Sequence, residues 1–196
     1  MFLHANDSDI HWQIQGLLVE GNDTVWSRLA TRAIRVLLAR KEVSYARLAA
    51  ELSRLGQTES GRSAEGKIQR GLFRFSFFLQ SLVALGADCP PHWAAPLSSS
   101  EDWSERASTL MLSELKTRPW LTWAELSRRL ESIGEKISPE SLADEVRQGD
   151  FSAALFLQCA VVGGFDGLEL FLDRSDLAMA AQRGMTPPGS DTTPFS

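Results

Sequence analysis

The stretch that decides the fold occurs twice, as GKIQRGLFRFSFFLQ at residues 66–80 and as DEVRQGDFSAALFLQ at residues 144–158. Around both stretches, residues 43–86 align without a gap with residues 121–164. Of these 44 aligned pairs, 13 are identical. Because such self-similarity marks the duplication of one folding unit, the sequence predicts one fold used twice. Two units are too few for a solenoid.

Each unit is predicted to contain four helices. Apolar side chains recur at helical spacing after Trp26, which forms the first helix. Ser44 caps the second helix and Gly56 ends it. The third helix begins at Ser60 and ends at Gly71, and an apolar fourth helix follows. Equivalent residues mark the same four helices in the second unit, so the fold class is all-α.

The chain divides into five predicted segments. They are an N-terminal arm (1–22), a first helix-turn-helix-like unit (23–88), a Pro/Ser-rich linker (89–102), a second unit (103–172) and a largely disordered tail (173–196). Strand-like alternation is confined to Ile10–Glu20 in the arm, which makes a short N-terminal strand possible. The tail carries little that it can bury.

The composition excludes a membrane protein. The 196 residues are 43% hydrophobic with a formal net charge of −5, as is typical of a globular protein with one or two domains. No apolar run reaches the roughly 18 residues of a membrane helix, and the N-terminus lacks a secretory signal. We therefore expect a cytoplasmic protein without membrane partners.

No catalytic or metal-binding constellation is visible. His4, His11 and His92 all lie outside the repeated units. Cys89 and Cys159 are far apart, so they form no metal-binding pair, and without a secretory signal a disulfide is not expected. The sequence also lacks a glycine-rich phosphate loop and a nucleophile elbow. We expect a protein that is not an enzyme and that holds neither a cofactor nor a metal.

The order of the helices is similar to that of repressor/Cro-type helix-turn-helix domains. Residues 44–49 of the second helix and Ser63, Ile68 and Arg70-Gly71 of the third carry the likeness, although the intervening loop is longer than that family usually has. The first unit more closely resembles small bacterial domains of unknown function, which share its KI-x-RG-x-F and FFLQ-x-L-x-x-LG segments. The second unit keeps the apolar frame but reads EVRQG in place of KI-x-RG.

The helix-turn-helix resemblance implies that the third helix enters the major groove of double-stranded DNA. In the first unit this helix presents Arg62, Ser63 and Lys67 to the bases, and Arg70 and Arg74 lie near the phosphates. Basic side chains at such positions supply affinity, because each phosphate contact releases counterions.

Charge separates the two units. Residues 26–88 contain eleven Lys and Arg against five Asp and Glu, whereas residues 103–172 contain seven against eleven. On the third helix of the second unit, Glu140, Asp144 and Glu145 replace two basic residues and a glycine. DNA would repel these carboxylates, so they are predicted to serve protein interaction or dimerisation.

The sequence therefore predicts a DNA-binding regulator, or an accessory DNA-recognition subunit, that uses its first unit. The alternative is an adaptor that binds only proteins and makes no DNA contact, because charged residues on helices often form only a solvated face.

The fourth helix offers a second candidate interface. Phe75 and Phe77 of the first unit are Ala153 and Leu155 in the second. If the two rings are exposed, they mark a protein interface; the alternative places them in the core. Gln80 is kept in both units, and a buried glutamine that holds a loop backbone is preferred to a base contact.

Overall fold

The computed structural model describes residues 24–57 and 60–185, and this part of the chain is all-helical, as predicted. The first unit contains α1 (Val25–Arg40), α2 (Tyr45–Arg54), α3 (Gly61–Arg70) and α4 (Phe75–Ala84). A 3-10 turn (Pro91–Trp93) and α5 (Ala94–Ser98) lead to the second unit, which contains α6 (Trp103–Lys116), α7 (Trp123–Ser132), α8 (Pro139–Gln148) and α9 (Ala153–Gly163). A second 3-10 turn (Leu168–Leu170) and α10 (Arg174–Met185) follow. The strand expected within residues 10–20 lies outside the described residues.

Matching side-chain caps begin the equivalent helices of the two units. The hydroxyls of Ser44 and Thr122 each accept a hydrogen bond from the backbone N–H three residues on, at 3.2 Å. Ser60 and Ser138 do the same for the third helices at 3.1 Å. These bonds satisfy N–H groups that the first turn of a helix leaves unpaired. The predicted starts of these helices are therefore correct.

Each third helix ends at a glycine pressed against the first helix of its own unit. Gly71 and Gly149 have φ values of 65° and 67°, in the left-handed region that glycine adopts without steric cost. A Cβ at Gly71 would lie 2.1 Å from the carbonyl oxygen of Ser27, and one at Gly149 would lie 1.9 Å from that of Ser104. Only a residue without a side chain permits this close contact.

The two units complete each other's core. The first helix of each unit packs against the fourth helix of the other, so α1 lies on α9 and α6 lies on α4. At the centre, α4 and α9 contact each other. The buried apolar side chains of both units consequently form one continuous core.

The contact between the units has the symmetry of a two-fold dimer. Arg74 and Ser152, which are equivalent in the repeat, form an antiparallel bridge. The backbone N–H groups of Phe75 and Ala153, also equivalent, each donate to a carbonyl of the other unit at 2.9 Å. Equivalent residues that contact each other are the mark of an isologous interface. The duplication thus reproduces a two-fold dimer within one polypeptide.

Phe75 and Phe77 lie in the core, so the prediction that they form an exposed interface was wrong. Phe75 is 1% exposed and Phe77 is 6% exposed. The ring of Phe75 stacks on Phe156 of the second unit, with 3.8 Å between their centroids, and meets Trp93 edge-on at 6.0 Å. The second unit covers rings that one unit alone would expose.

The connecting segment 89–102 is folded into the core, although its prolines and serines predicted a linker. Trp93 is 1% exposed, and its indole N–H donates to the Glu114 carboxylate at 3.1 Å. Glu114, only 3% exposed, also pairs with His92 at 2.6 Å and Arg118 at 2.9 Å. A buried carboxylate needs such partners, and here they fix the segment to α6.

Residues 174–185 form α10, although they were predicted to belong to a largely disordered tail. Its Leu177 and Ala180 are buried against α1 and α9. Arg32 of α1 contacts Asp176 of α10 at 2.5 Å. Two buried side chains in twelve residues give a weak periodic signal, which explains why the sequence did not reveal this helix. The remainder of the predicted tail lies outside the described residues.

Candidate nucleic-acid interface and paired clefts

The third helix of the first unit exposes one polar face. Ala64 and Ile68 are fully buried on its inner side. The exposed side chains of this helix are Arg62, Ser63, Gln69 and Arg70. Arg62 and Arg70 are eight residues apart, which corresponds to about 12 Å along a helix. This span is similar to the width of about 12 Å of the DNA major groove.

Gly66 lies in the middle of this face. A Cβ at this position would lie 3.3 Å from Nη1 of Arg70, because the arginine extends back along the helix. Glycine in a helix interior costs about 1 kcal/mol relative to alanine. The guanidinium of Arg70 lies over the backbone at Gly66.

Lys67 and Arg74 do not belong to the exposed face, although the sequence grouped them with it. Lys67 is half-buried, and its ammonium lies 4.8 Å from the centroid of the Phe77 ring. Arg74 precedes α4 as its N-terminal cap residue, and its Nε forms an ion pair with Asp150 of the second unit at 2.6 Å. The structure therefore brings together three of the five predicted DNA-binding residues.

The corresponding face of the second unit is acidic. Glu140 and Asp144 are exposed on α8, and Asp144 pairs with Arg147 at 2.9 Å. Glu145 is only half-exposed and lies away from them. Burial raises the pKa of the Glu145 carboxyl above its ordinary value, and the nearby charges of Asp150 and Glu135 raise it further. Two of the three predicted acids thus share one open surface.

The connection between the second and third helices is longer than in helix-turn-helix proteins. Residues 55–60 separate α2 from α3, and residues 133–138 separate α7 from α8. A helix-turn-helix turn has about three or four residues. The start of α3 nevertheless approaches α2 closely, since a Cβ at Gly61 would lie 2.9 Å from the Cα of Ala46.

Two clefts lie at equivalent places in the pseudo-two-fold arrangement, where the first helix of one unit meets the fourth helix of the other. The first cleft, of about 340 Å³, is lined by Gln57, Arg74, Ser76, Phe77, Gln80, Asp102, Trp103 and Ser104. The second cleft, of about 470 Å³, is lined by Thr24, Ser27, Gly71, Leu72, Gly134, Glu135, Ile137, Glu145, Ser152, Ala154, Leu155 and Gln158. Their shared positions show that the duplication kept both clefts.

The kept glutamine has a different environment in each cleft. In the second cleft, Nε2 of Gln158 donates to Oε2 of Glu135 at 2.9 Å. In the first cleft, Gln57 stands at the position of Glu135, and the structure gives the side chain of Gln80 no hydrogen bond within the described residues. Neither glutamine holds a loop backbone, so that expectation was wrong.

Sequence reasoning missed the clefts because their walls come from both units. A single unit's sequence does not show that Asp102 and Ser104 of the second unit meet Gln80 of the first. The identity of Gln80 and Gln158 in the repeat was the one available signal, since a polar side chain kept at a buried position requires a partner.

The two cysteines do not carry the features of reactive thiols. Both are free. Burial raises the pKa of the Cys159 thiol, and burial together with the charge of Asp88 raises the pKa of the Cys89 thiol. Reactive cysteines usually have a lowered pKa. Within residues 24–57 and 60–185, no group of three or more His, Cys, Asp or Glu side chains is placed to hold a metal ion.

The model of a family described as a domain of unknown function, DUF6471, matches residues 26–89 and again residues 103–168. The chain belongs to this family. The two matches coincide with the two predicted units, which confirms the tandem arrangement and the resemblance to an uncharacterised family. The likeness to repressor/Cro-type domains stays a prediction. No curated protein and no solved structure matches the chain.

Among the described helices, none combines the length and the apolar character that are needed to cross a membrane.

Proposed function

We propose that this protein is a DNA-binding regulator or an accessory DNA-recognition subunit, which contacts double-stranded DNA through α3 of its first unit. The second unit serves protein interaction or self-association through the acidic face of α8. This division of roles uses one backbone with two opposite surface charges.

The observation that carries the proposal is the exposed face of α3. It places Arg62 and Arg70 about 12 Å apart with Ser63 and Gln69 between or beside them. Arginine binds phosphates and guanine edges, and glutamine and serine bind base edges. A helix with these side chains suits contact with the major groove.

The first unit also carries basic residues that do not serve this face. Arg32 of α1 binds Asp176 of α10, and Arg40 of α1 donates a hydrogen bond to the carbonyl of Leu170. Arg47 and Arg54 of α2 each pair with Glu51 at 2.6 Å. The DNA contact therefore rests on a few residues of α3 rather than on the total positive charge of the unit.

Several arginines of the first unit bind groups of the same chain, and this favours a second candidate function, a protein adaptor with no DNA contact. Arg74 binds Asp150 across the two units, which is a structural role. In the adaptor, the basic face of α3 and the acidic face of α8 would each bind a protein of opposite charge.

Fluorescence anisotropy with a labelled random DNA duplex at about 50 mM salt separates the two candidates. We expect the wild-type chain to bind, and we expect the charge-reversal variant R62E/R70E to bind at least ten-fold more weakly. Both side chains are exposed, so the variant should fold normally, which circular dichroism can check.

The matched control is R35E/K116E, which changes the net charge equally on exposed residues outside the α3 face. We expect it to keep most of the affinity, apart from a general electrostatic loss. Equal losses in the two variants would show that the total charge, and not α3, attracts DNA. Absence of wild-type binding would leave the adaptor as the better account.

A further inference from the structure

We propose that the first cleft binds a small molecule through a carboxylate group, which Gln80, Arg74 and Ser76 hold at the junction of the two units. The second cleft indicates a carboxylate, because there the glutamine equivalent to Gln80 binds the carboxylate of Glu135. This inference does not depend on DNA binding.

Gln80 is the central residue of the argument. It is 3% exposed, lines the first cleft, and has no side-chain hydrogen bond within the described residues. A buried side-chain amide left without a partner costs free energy, so most such groups are satisfied. In the described chain, Oγ of Ser99 is the one fully enclosed side-chain polar atom that has no hydrogen-bond partner. Because the amide of Gln80 also has no partner but is not fully enclosed, it keeps some contact with solvent. Its open side faces the cleft.

The second cleft shows which partner this glutamine takes. Gln158, the equivalent of Gln80, donates its amide hydrogen to Oε2 of Glu135 at 2.9 Å. The residue equivalent to Glu135 in the first unit is the exposed Gln57, and it does not bond Gln80. The first cleft therefore lacks the internal carboxylate that satisfies its counterpart.

The walls of the first cleft add hydrogen-bond donors that the second cleft lacks. Arg74 forms an ion pair with Asp150, with its Nε 2.6 Å from Oδ1, and its two Nη groups make no hydrogen bond within the described residues. Ser76 is 8% exposed, and its hydroxyl makes no hydrogen bond within those residues. The equivalents in the second unit are Ser152, which caps α9, and Ala154. An arginine fork beside amide and hydroxyl donors matches a carboxylate.

The opposite wall limits the charge of the ligand. Asp102 accepts hydrogen bonds from the backbone N–H groups of Ser104 at 2.8 Å and Glu105 at 2.9 Å through one oxygen, and its carboxylate lines the cleft. A polyanion would be repelled by this charge and by Asp150. A volume of about 340 Å³ is within the range of small-molecule sites. The ligand is therefore a small molecule with one carboxylate, or a carboxylate together with an amino group.

Nuclear magnetic resonance of the full chain tests the proposal with acetate as the minimal probe. The side-chain amide signals of Gln80, identified by their loss in Q80M, should shift in a saturable way with sodium acetate or glycine. The signals of Gln158 should not respond, because Glu135 already occupies that amide. Sodium chloride at the same ionic strength is the reference, and inorganic phosphate should shift the Gln80 signals at least ten-fold less effectively.

The variant Q57E gives the first cleft the internal carboxylate of the second. Gln57 is exposed, so the substitution leaves the core intact. We expect Q57E to weaken the response to acetate at least ten-fold and to shift the Gln80 amide in the absence of ligand. The matched substitution E135Q alters only the second cleft and should leave the response of Gln80 unchanged.

Any one of three results would overturn the proposal. One is the absence of any saturable shift of the Gln80 amide with acetate and glycine. The second is a Q57E variant that binds both probes as well as the wild-type chain does, and the third is a phosphate response equal to that of acetate.

Discussion

The two units of this chain share their backbone and differ in the side chains placed on it. Their second and third helices begin at equivalent side-chain caps and end at equivalent left-handed glycines. The exposed face of α3 carries arginines where the equivalent face of α8 carries acids. The side-chain amide of Gln80 makes no hydrogen bond among the described residues, whereas that of Gln158 binds Glu135. The comparison teaches that the two units share their core framework and differ in their surfaces and clefts.

The largest expected effect concerns Phe75, a core position at which the two units carry different side chains. Its counterpart is Ala153, and its ring stacks on Phe156 at 3.8 Å. We expect F75A to lower the free energy of unfolding by about 3–5 kcal/mol, because it removes a fully buried ring and leaves a cavity. Chemical denaturation monitored by circular dichroism measures this loss.

The control for that variant is F77L, which copies Leu155 from the second unit into the first. An exchange of one large apolar side chain for another costs about 1.5 kcal/mol or less. A loss in F75A as small as that in F77L would contradict the central position of Phe75.

The buried Glu114 is a second point where the units differ, since the equivalent residue of the first unit is Leu37. Its carboxylate binds Trp93, His92 and Arg118, and it is 3% exposed. We expect E114A to lower the free energy of unfolding by about 3 kcal/mol, because Arg118 and the indole N–H lose their buried partner.

The variant E114Q keeps the shape and one acceptor, so its loss should be smaller than that of E114A. Urea titrations of both variants measure the difference. Equal stability of E114A and the wild-type chain would show that the connecting segment is not fixed through this carboxylate.

Glu145 gives the smallest expected effect. Its pKa is raised above the ordinary value of 4.5, mainly by burial, so the folded chain holds this proton more tightly than the unfolded chain does. Since the folded state then binds more protons, this group contributes stability at acid pH, and that contribution is lost as the pH rises through the raised pKa. We expect E145Q to stabilise the chain at pH 7 by about 0.5 kcal/mol or less, because the side chain is half-exposed and solvent screens it.

This gain from E145Q should shrink as the pH falls through 4.5 and vanish well below it, where the carboxyl is protonated in both the folded and the unfolded states. Thermal unfolding at pH 7 and pH 4 provides the comparison. A gain that is constant with pH would assign the effect to a cause other than ionisation.

The sequence predicted the parts of the fold that one unit determines. Caps such as Ser44 and terminators such as Gly71 act through their own neighbours, so local patterns revealed the helices and the duplication. It left open whether Phe75 and Phe77 are buried or form an exposed interface, because the second unit is what covers them. It also did not predict the packing of Trp93 or the helix that contains Leu177, since both depend on contacts with distant residues.

The sequence predicted only part of the candidate DNA-binding face, because local patterns do not show contacts between the two units. Arg62, Ser63 and Arg70 share a face because helical periodicity places them there. Arg74 instead forms an ion pair with Asp150 of the second unit, and no local sequence pattern indicates that contact. The first cleft depends on the meeting of two units, and only the repetition of Gln80 pointed to it.

The measurement that tests the account most directly is the salt dependence of DNA affinity for the wild-type chain and for R62A/R70A. The logarithm of the association constant should fall linearly with the logarithm of the salt concentration between about 50 and 200 mM, with a slope of about −0.9 for each phosphate contact. If α3 holds the DNA, the double variant should bind more weakly, and its slope should be smaller in magnitude by about 2. Identical slopes for the two proteins, or no binding at the lowest salt, would contradict the assignment of DNA contact to the first unit.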